Sequence, residues 1–203
     1  MTYLLAVYEE GSGYDQTRPI NRQMLWAEHA DFMNDLEEKG IAILGGPITG
    51  SPLRHVVFNA ENSGALANIL SNDPWLLDGH LRIKAIEQWE ILLGTPSKRI
   101  IEKQEFKGFL LSVERIQGQG WKKGVPMREQ EDWTPHAEFM SCLADNRIVL
   151  LGGPLMNRTS VMLIFNEDNE QKVTERLSED PWTKSGLLEI KIIRRWEILI
   201  GNP

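Results

Sequence analysis

"LSNDPWLLDGHLRIKAIEQWEILLGTP" runs from Leu70 to Pro96, and "LSEDPWTKSGLLEIKIIRRWEILIGNP" from Leu177 to Pro203. Subtracting equivalent positions gives one number. Asp180 minus Asp73 is 107, and Trp196 minus Trp89 is 107. The same step carries the Gly-Gly-Pro at Gly45 to that at Gly152, His29 to His136, Trp26 to Trp133, and Gly11-Ser-Gly-Tyr14 to Gly118-Gln-Gly-Trp121. The first strand is expected to break step. There "YLLAV" from Tyr3 matches "FLLSV" from Phe109 at 106, which implies one residue added in the loop that follows. A period near 100 is too long for a solenoid and means two copies of a whole domain. The expected copies are residues 1–96 and 107–203, joined by a linker at 97–106.

Each copy reads as strand, Gly-rich loop, helix, two strands, helix, strand. Apolar runs such as "IAILGGP" and "IVLLGGP" are buried strands stopped by Gly-Gly-Pro. The first helix is expected to stop near Gly40 in one copy and near Asn146 in the other, both residue types that accept a left-handed backbone. The order β-α-β-β-α-β is the ferredoxin-like α+β arrangement. Reading the last strand as running through Trp89 to Leu93, Ile83, Ala85, Trp89, Ile91 and Leu93 share one face, and Ile86 and Leu92 lie on the other. Both faces then need cover. That predicts sheet packed on sheet between the copies: an intrachain barrel with pseudo-two-fold symmetry, and a chain that is monomeric as an internal pseudo-dimer.

Composition excludes several function classes. The 203 residues are 41% apolar and 25% charged, as in ordinary globular proteins. Net charge is −7 with no basic block, which argues against nucleic acid and anionic membranes as partners. No run approaches the ~18 apolar residues of a membrane span. "MTYLLAVYEEG" reads as a first strand rather than a signal peptide. The one cysteine, Cys142, permits no internal disulfide and suits a reducing cytoplasm. It falls on the polar side of the first helix, as an incidental exposed thiol. No cluster has metal-ligand spacing, and no cofactor is signalled.

The polar residues that break the apolar pattern are the candidates for chemistry. At ~100° per residue, Leu25, Trp26, Phe32, Met33 and Leu36 form one arc of the first helix, and His29 falls in its middle. Trp133, Phe139, Met140 and Leu143 repeat the arc around His136. Such a histidine is either a core residue bonded to a carbonyl or a base that titrates near neutrality. Asp73 and Asp180, each followed by proline, have the form of helix N-caps. A second role is compatible with capping: a carboxylate beside a histidine fixes its tautomer. Gly45-Gly46-Pro47 and Gly152-Gly153-Pro154 either end strands or open room for a ligand, with Trp75 and Trp182 shaping the pockets. The Gly11–Tyr14 and Gly118–Trp121 loops lack a nucleotide fingerprint and read as flaps over a pocket. His55 and His80 have Met162 and Leu187 at the equivalent positions of the other copy and read as surface residues.

An early-helix histidine, a Gly-Gly-Pro and an Asp-Pro-aromatic motif before the last strand together resemble the YCII-related family, over both halves of the chain. The resemblance implies a dimeric α+β barrel of two ferredoxin-like units. It also implies a site in which His29 pairs with Asp73 and His136 with Asp180. For activity it implies cofactor-independent proton abstraction or elimination on small cyclic compounds, as in a dehydrochlorinase of chlorinated hydroxyquinones. The chain departs from the family in being a fused tandem, in having Trp where Phe is frequent, and in its long Gly-rich loop. Two functions follow as expectations: a general-base enzyme acting on a small cyclic or carbonyl-bearing substrate, or a non-catalytic barrel that binds a small ligand or partner and keeps the His-Asp pair as structure.

Overall fold

The computed structural model describes residues 2–96, 100–101, 106–156 and 159–201. The linker expected at 97–106 lies mostly outside them. The chain divides into two compact units: Met1–Trp89 with Ser97–Gln104 and Trp196–Pro203, and Glu90–Pro96 with Glu105–Arg195. These are not the copies counted along the sequence. The last residues of each copy, after Trp89 and after Arg195, belong to the unit built by the other copy.

In unit 1 the elements are β1 (Thr2–Glu10), α1 (Trp26–Glu38), β2 (Ala42–Pro47), β3 (Leu53–Ala60), α2 (Ser63–Leu70), α3 (Pro74–Leu77) and β4 (Leu81–Gln88). Unit 2 repeats them as β5 (Phe109–Gln117), α4 (Trp133–Asp145), β6 (Val149–Leu155), β7 (Ser160–Phe165), α5 (Glu170–Ser178), α6 (Pro181–Lys184) and β8 (Leu188–Glu197). The sheets have the orders β2-β3-β1-β4 and β6-β7-β5-β8, with antiparallel neighbours. Each unit is thus a ferredoxin-type α+β fold. No helix among the described residues is long and apolar enough to cross a membrane.

The register corrects three expectations. Leu4 lies opposite Phe58, and Leu111 opposite Phe165, so the step is 107 in the first strand as well and no residue is added after it. The strand is buried on both faces: Leu4, Ala6 and Tyr8 point into the helix-side core, while Leu5 and Val7 on the other face are also buried. Such a run carries no polar phase mark, so its letters can be slid by one. In β4 the pairing jumps between Val7–Ala85 and Tyr8–Ile83, which marks a bulge. The bulge resets the alternation, so Ile83 and Ile86 both pack on the helix-side core while Glu87 and Trp89 are buried. Finally, β4 ends at Gln88 instead of running to Leu93.

The residues past Arg195 pair inside unit 1, and those past Trp89 inside unit 2. In unit 1, Gly45 N–H donates to Ile200 O and Leu199 N–H to Gly45 O. A Cβ on Gly46 would stand 2.2 Å from Glu197 O. In unit 2, Leu92 N–H donates to Gly152 O, and a Cβ on Gly153 would stand 1.8 Å from Glu90 O. The Gly-Gly-Pro glycines therefore let an incoming chain segment approach.

In copy two α4 ends beside Asn146 as expected, but the left-handed residue is the next one. Gly40 has φ +70, but its left-handed counterpart is Arg147 (φ 56), not Asn146, whose φ is −83.

Candidate functional site: two His-Asp dyads facing cavities

Asp73 and Asp180 do cap. Each side chain accepts a hydrogen bond from the backbone N–H two residues on, Trp75 at 3.0 Å and Trp182 at 3.1 Å, and proline occupies the first helical turn of α3 and α6. The same carboxylates also meet the histidines. His29 Nδ1 is 2.8 Å from Asp73 Oδ1, and His136 Nδ1 is 2.7 Å from Asp180 Oδ1. A carboxylate only accepts, so Nδ1 carries the proton and Nε2 is the basic nitrogen of the neutral ring.

The ring orientation is fixed from a second side. His29 stacks on Trp75 with centroids 4.1 Å apart and planes 6° apart, and His136 on Trp182 at 3.8 Å and 7°. The tryptophans are themselves anchored: Trp75 Nε1–H donates to Met24 O at 2.8 Å and Trp182 Nε1–H to Glu131 O at 2.7 Å. The next residue, Leu25 or Asp132, has a left-handed backbone (φ 58 and 56), and its carbonyl accepts from the N–H of His29 or His136. For a bulky residue such as Leu25 that conformation costs about 1–2 kcal/mol. It persists because cap, indole and helix all fasten the same corner.

Each histidine lines a cavity, of about 280 Å³ in unit 1 and about 230 Å³ in unit 2. Apart from Arg128, every residue lining one cavity stands 107 positions from a residue lining the other. The equivalence includes the exchanged segments, Leu199 and Ile200 in unit 1 and Leu92 and Leu93 in unit 2.

Of the remaining candidates, Trp75, Trp182, Gly46, Pro47, Gly153 and Pro154 line the cavities. Gly45 and Gly152 do not. A Cβ there would meet Val56 at 2.9 Å or Leu163 at 2.6 Å, so their smallness serves packing. The loops carrying Tyr14 and Trp121 are pinned rather than free flaps. Buried Gln23 bridges Asp15 N–H, Asp15 O and Arg18 O, and buried Gln130 bridges Lys122 N–H, Lys122 O and Val125 O. Tyr14 and Trp121 then set their rings edge-on against Trp75 and Trp182. His55 and His80 are buried, not surface residues. His80 stacks on Trp75 at 5.8 Å, and His55 meets the edge of Trp196. Cys142 is exposed. Among the described residues no group of His, Cys, Asp and Glu has the arrangement of a metal site.

The chain matches no family model and no curated protein. Among solved structures it is similar to a heme-binding protein from Thermus thermophilus, with TM-score 0.59, 12% identity, and coverage of 98% of this chain and 92% of that one. It is similar to a candidate chlorite dismutase at TM-score 0.56 and 11% identity, covering 100% and 97% of the two chains. A candidate monooxygenase from Lactobacillus acidophilus follows at 0.52 and 9%, covering 98% and 94%. At these identities the likeness is one of fold.

The polar residues around the two dyads break the 107 step, and sequence reasoning missed them. In unit 2, Arg115 donates to Asp180 Oδ2 and to Thr183 Oγ1, both at 2.6 Å, and to Leu188 O at 3.4 Å. Burial pushes the Asp180 carboxyl up, but the hydrogen bond from His136 and the charge of Arg115 outweigh it and hold the group below the ordinary carboxylate range. Burial likewise pulls the Arg115 guanidinium below its usual value, with Asp180 opposing. In unit 1 the place of Arg115 is taken by Tyr8, and that of Thr183 by Leu76. Tyr8 Oη and Asp73 Oδ2 are buried without a hydrogen-bond partner among the described residues. Burial first, and the charge of Asp73 second, push the Tyr8 phenol well above its ordinary value, so it stays a neutral hydroxyl. Unit 1 instead carries Arg54 on β3, where unit 2 has Val161. An arginine beside the apolar run Val56–Phe58 of the same strand was the visible signal.

Proposed function

We propose that the chain is a cofactor-independent enzyme that uses a His-Asp dyad as general base on a small cyclic or carbonyl-bearing molecule. The observation that carries this is the 2.8 Å bond from His29 Nδ1 to Asp73 Oδ1 in a side chain that lines a cavity. The carboxylate fixes the tautomer and stabilises the imidazolium that forms when Nε2 takes a proton. A proton removed next to a carbonyl leaves an enolate. Reprotonation elsewhere gives isomerisation, and departure of a leaving group with its electron pair gives elimination. Trp75 excludes water from one face of the base and can support the developing positive charge. The resemblance to the YCII-related family points the same way. The intrachain barrel belongs to this proposal too. It rests on the apolar residues of both sheet faces, and it predicts that the two halves expressed apart are not stable, soluble monomers.

Heme does not fit. Cavities of about 280 and 230 Å³ fall below the roughly 300–1,000 Å³ of sites for drug-sized ligands, and a heme is at least that large.

For unit 2 a specific observation favours the second reading, a structural pair beside a small-ligand cavity: Arg115 occupies the Asp180 oxygen that is unused in Asp73. Solvent deuterium exchange tests the proposal. Small cyclic ketones and hydroxyquinones are incubated in D2O with the protein, and exchange α to the carbonyl is followed by NMR. Exchange that His29→Asn abolishes is the expected result. Exchange that survives in both His29→Asn and His136→Asn excludes the dyads as bases.

A further inference from the structure

We infer that the unit 1 cavity takes a small organic anion, a cyclic or aromatic carboxylate, with Arg54 as its anchor, and that the unit 2 cavity does not. This rests on reading the His29 cavity as a small-molecule site. Arg54 is 7% exposed and lines that cavity. Its guanidinium is held in place from two sides: Nη2 donates to Glu10 Oε1 at 3.2 Å, and the group lies over the Tyr14 ring at 4.6 Å from its centre. Nε and Nη1 are buried with no hydrogen-bond partner among the described residues. Leaving charged donors unpaired in the interior is costly, and a carboxylate is the group that matches the guanidinium fork.

The other cavity groups fit the same class of ligand. Tyr8 offers a buried neutral hydroxyl, and His29 offers its base. Trp26, Met33 and Leu81 supply the apolar wall that a ring would cover. Of the acidic groups nearby, Glu10 pairs with Arg54 and Asp73 Oδ1 with His29, while Asp73 Oδ2 has no hydrogen-bond partner among the described residues. In unit 2 the cation is spent differently. Arg115 is bound to Asp180, Thr183 and Leu188, which leaves only its Nε without a hydrogen-bond partner among the described residues, and Val161 replaces Arg54, so the two free donors of the unit 1 fork have no counterpart there.

Benzoate, with benzamide as its neutral counterpart, is the probe. Both are titrated into the full chain by calorimetry, while NMR follows the ring signals of the four histidines. The inference expects one benzoate per chain, movement of the His29 signals but not those of His136, and at least tenfold weaker binding of benzamide. Arg54→Val, which copies unit 2, is expected to lose benzoate binding at least tenfold. Arg54→Lys keeps the charge and loses less, so a fold defect in Arg54→Val does not end the test. Benzoate and benzamide bound alike, two benzoates per chain, or binding unchanged in both variants overturns the anion assignment and leaves the small-molecule cavity standing. Neither probe perturbing His29 or His136 overturns the cavity reading together with the inference.

Discussion

Asp73 and Asp180 stand at equivalent places, cap equivalent helical turns and hold equivalent histidines, yet their second oxygens differ. Asp180 Oδ2 meets Arg115, while Asp73 Oδ2 has no hydrogen-bond partner among the described residues. The difference shows how a duplicated site can separate stability from binding. In unit 2 both oxygens of the buried carboxylate are bonded, to guanidinium, imidazole and backbone, and Arg115 Nε is the atom of that network left without a hydrogen-bond partner among the described residues. In unit 1 Asp73 Oδ2, Tyr8 Oη and two donors of Arg54 are left over, and the arginine stands on another strand and lines the cavity. Unsatisfied buried groups are kept where something other than folding uses them.

Removing the carboxylates should break the comparison most visibly. Asp180→Ala leaves Arg115 buried beside no carboxylate and should cost about 3–5 kcal/mol. Asp73→Ala loses a cap and a histidine bond and should cost nearer 1–2 kcal/mol. Urea titrations of both variants measure this, and equal losses would remove the electrostatic distinction between the units. A double-mutant cycle sharpens it: Arg115→Leu with Asp180→Asn should show a coupling of roughly 2–3 kcal/mol, and Tyr8→Leu with Asp73→Asn clearly less.

Acid titration gives a smaller effect of defined sign. The folded-state pKa of Asp180 is depressed, so its contribution to stability is complete above the ordinary carboxylate range. It is lost as pH falls through that range to the folded value. Asp180→Asn should therefore lower stability at neutral pH and flatten the acid limb of the stability curve. The smallest effect concerns the helix ends. Gly40→Ala should cost about 1 kcal/mol because of its left-handed backbone, even though unit 2 carries Arg147 at that place. Thermal melts register it.

The duplication, the caps and the histidines' place in the helix were legible because they rest on short-range rules, whereas the meeting of each histidine with its aspartate was only what the family resemblance implies. The Asp-Pro cap is read from two neighbours, and the histidine's place in the apolar arc from helical spacing. What escaped depends on long-range pairing. "WEILLG" continues the pattern of β4, and nothing in its letters says that the strand stops at Gln88 and that the rest joins the other unit. The one-residue slip assigned to the first strand hid the match of Tyr8 with Arg115, and with it the contrast between the sites. His55 and His80 read as surface residues because they lack a histidine counterpart, but both are buried, and His80 stacks on Trp75.

The central claim is that His29 and His136 each present an unprotonated Nε2 because a buried aspartate holds the proton on Nδ1. Nitrogen-15 chemical shifts of the histidine rings in the full-length protein test it directly. The account predicts that the neutral rings of both residues carry their proton on Nδ1. A proton on Nε2 of His29, or an averaged mixture of the two tautomers, would contradict it.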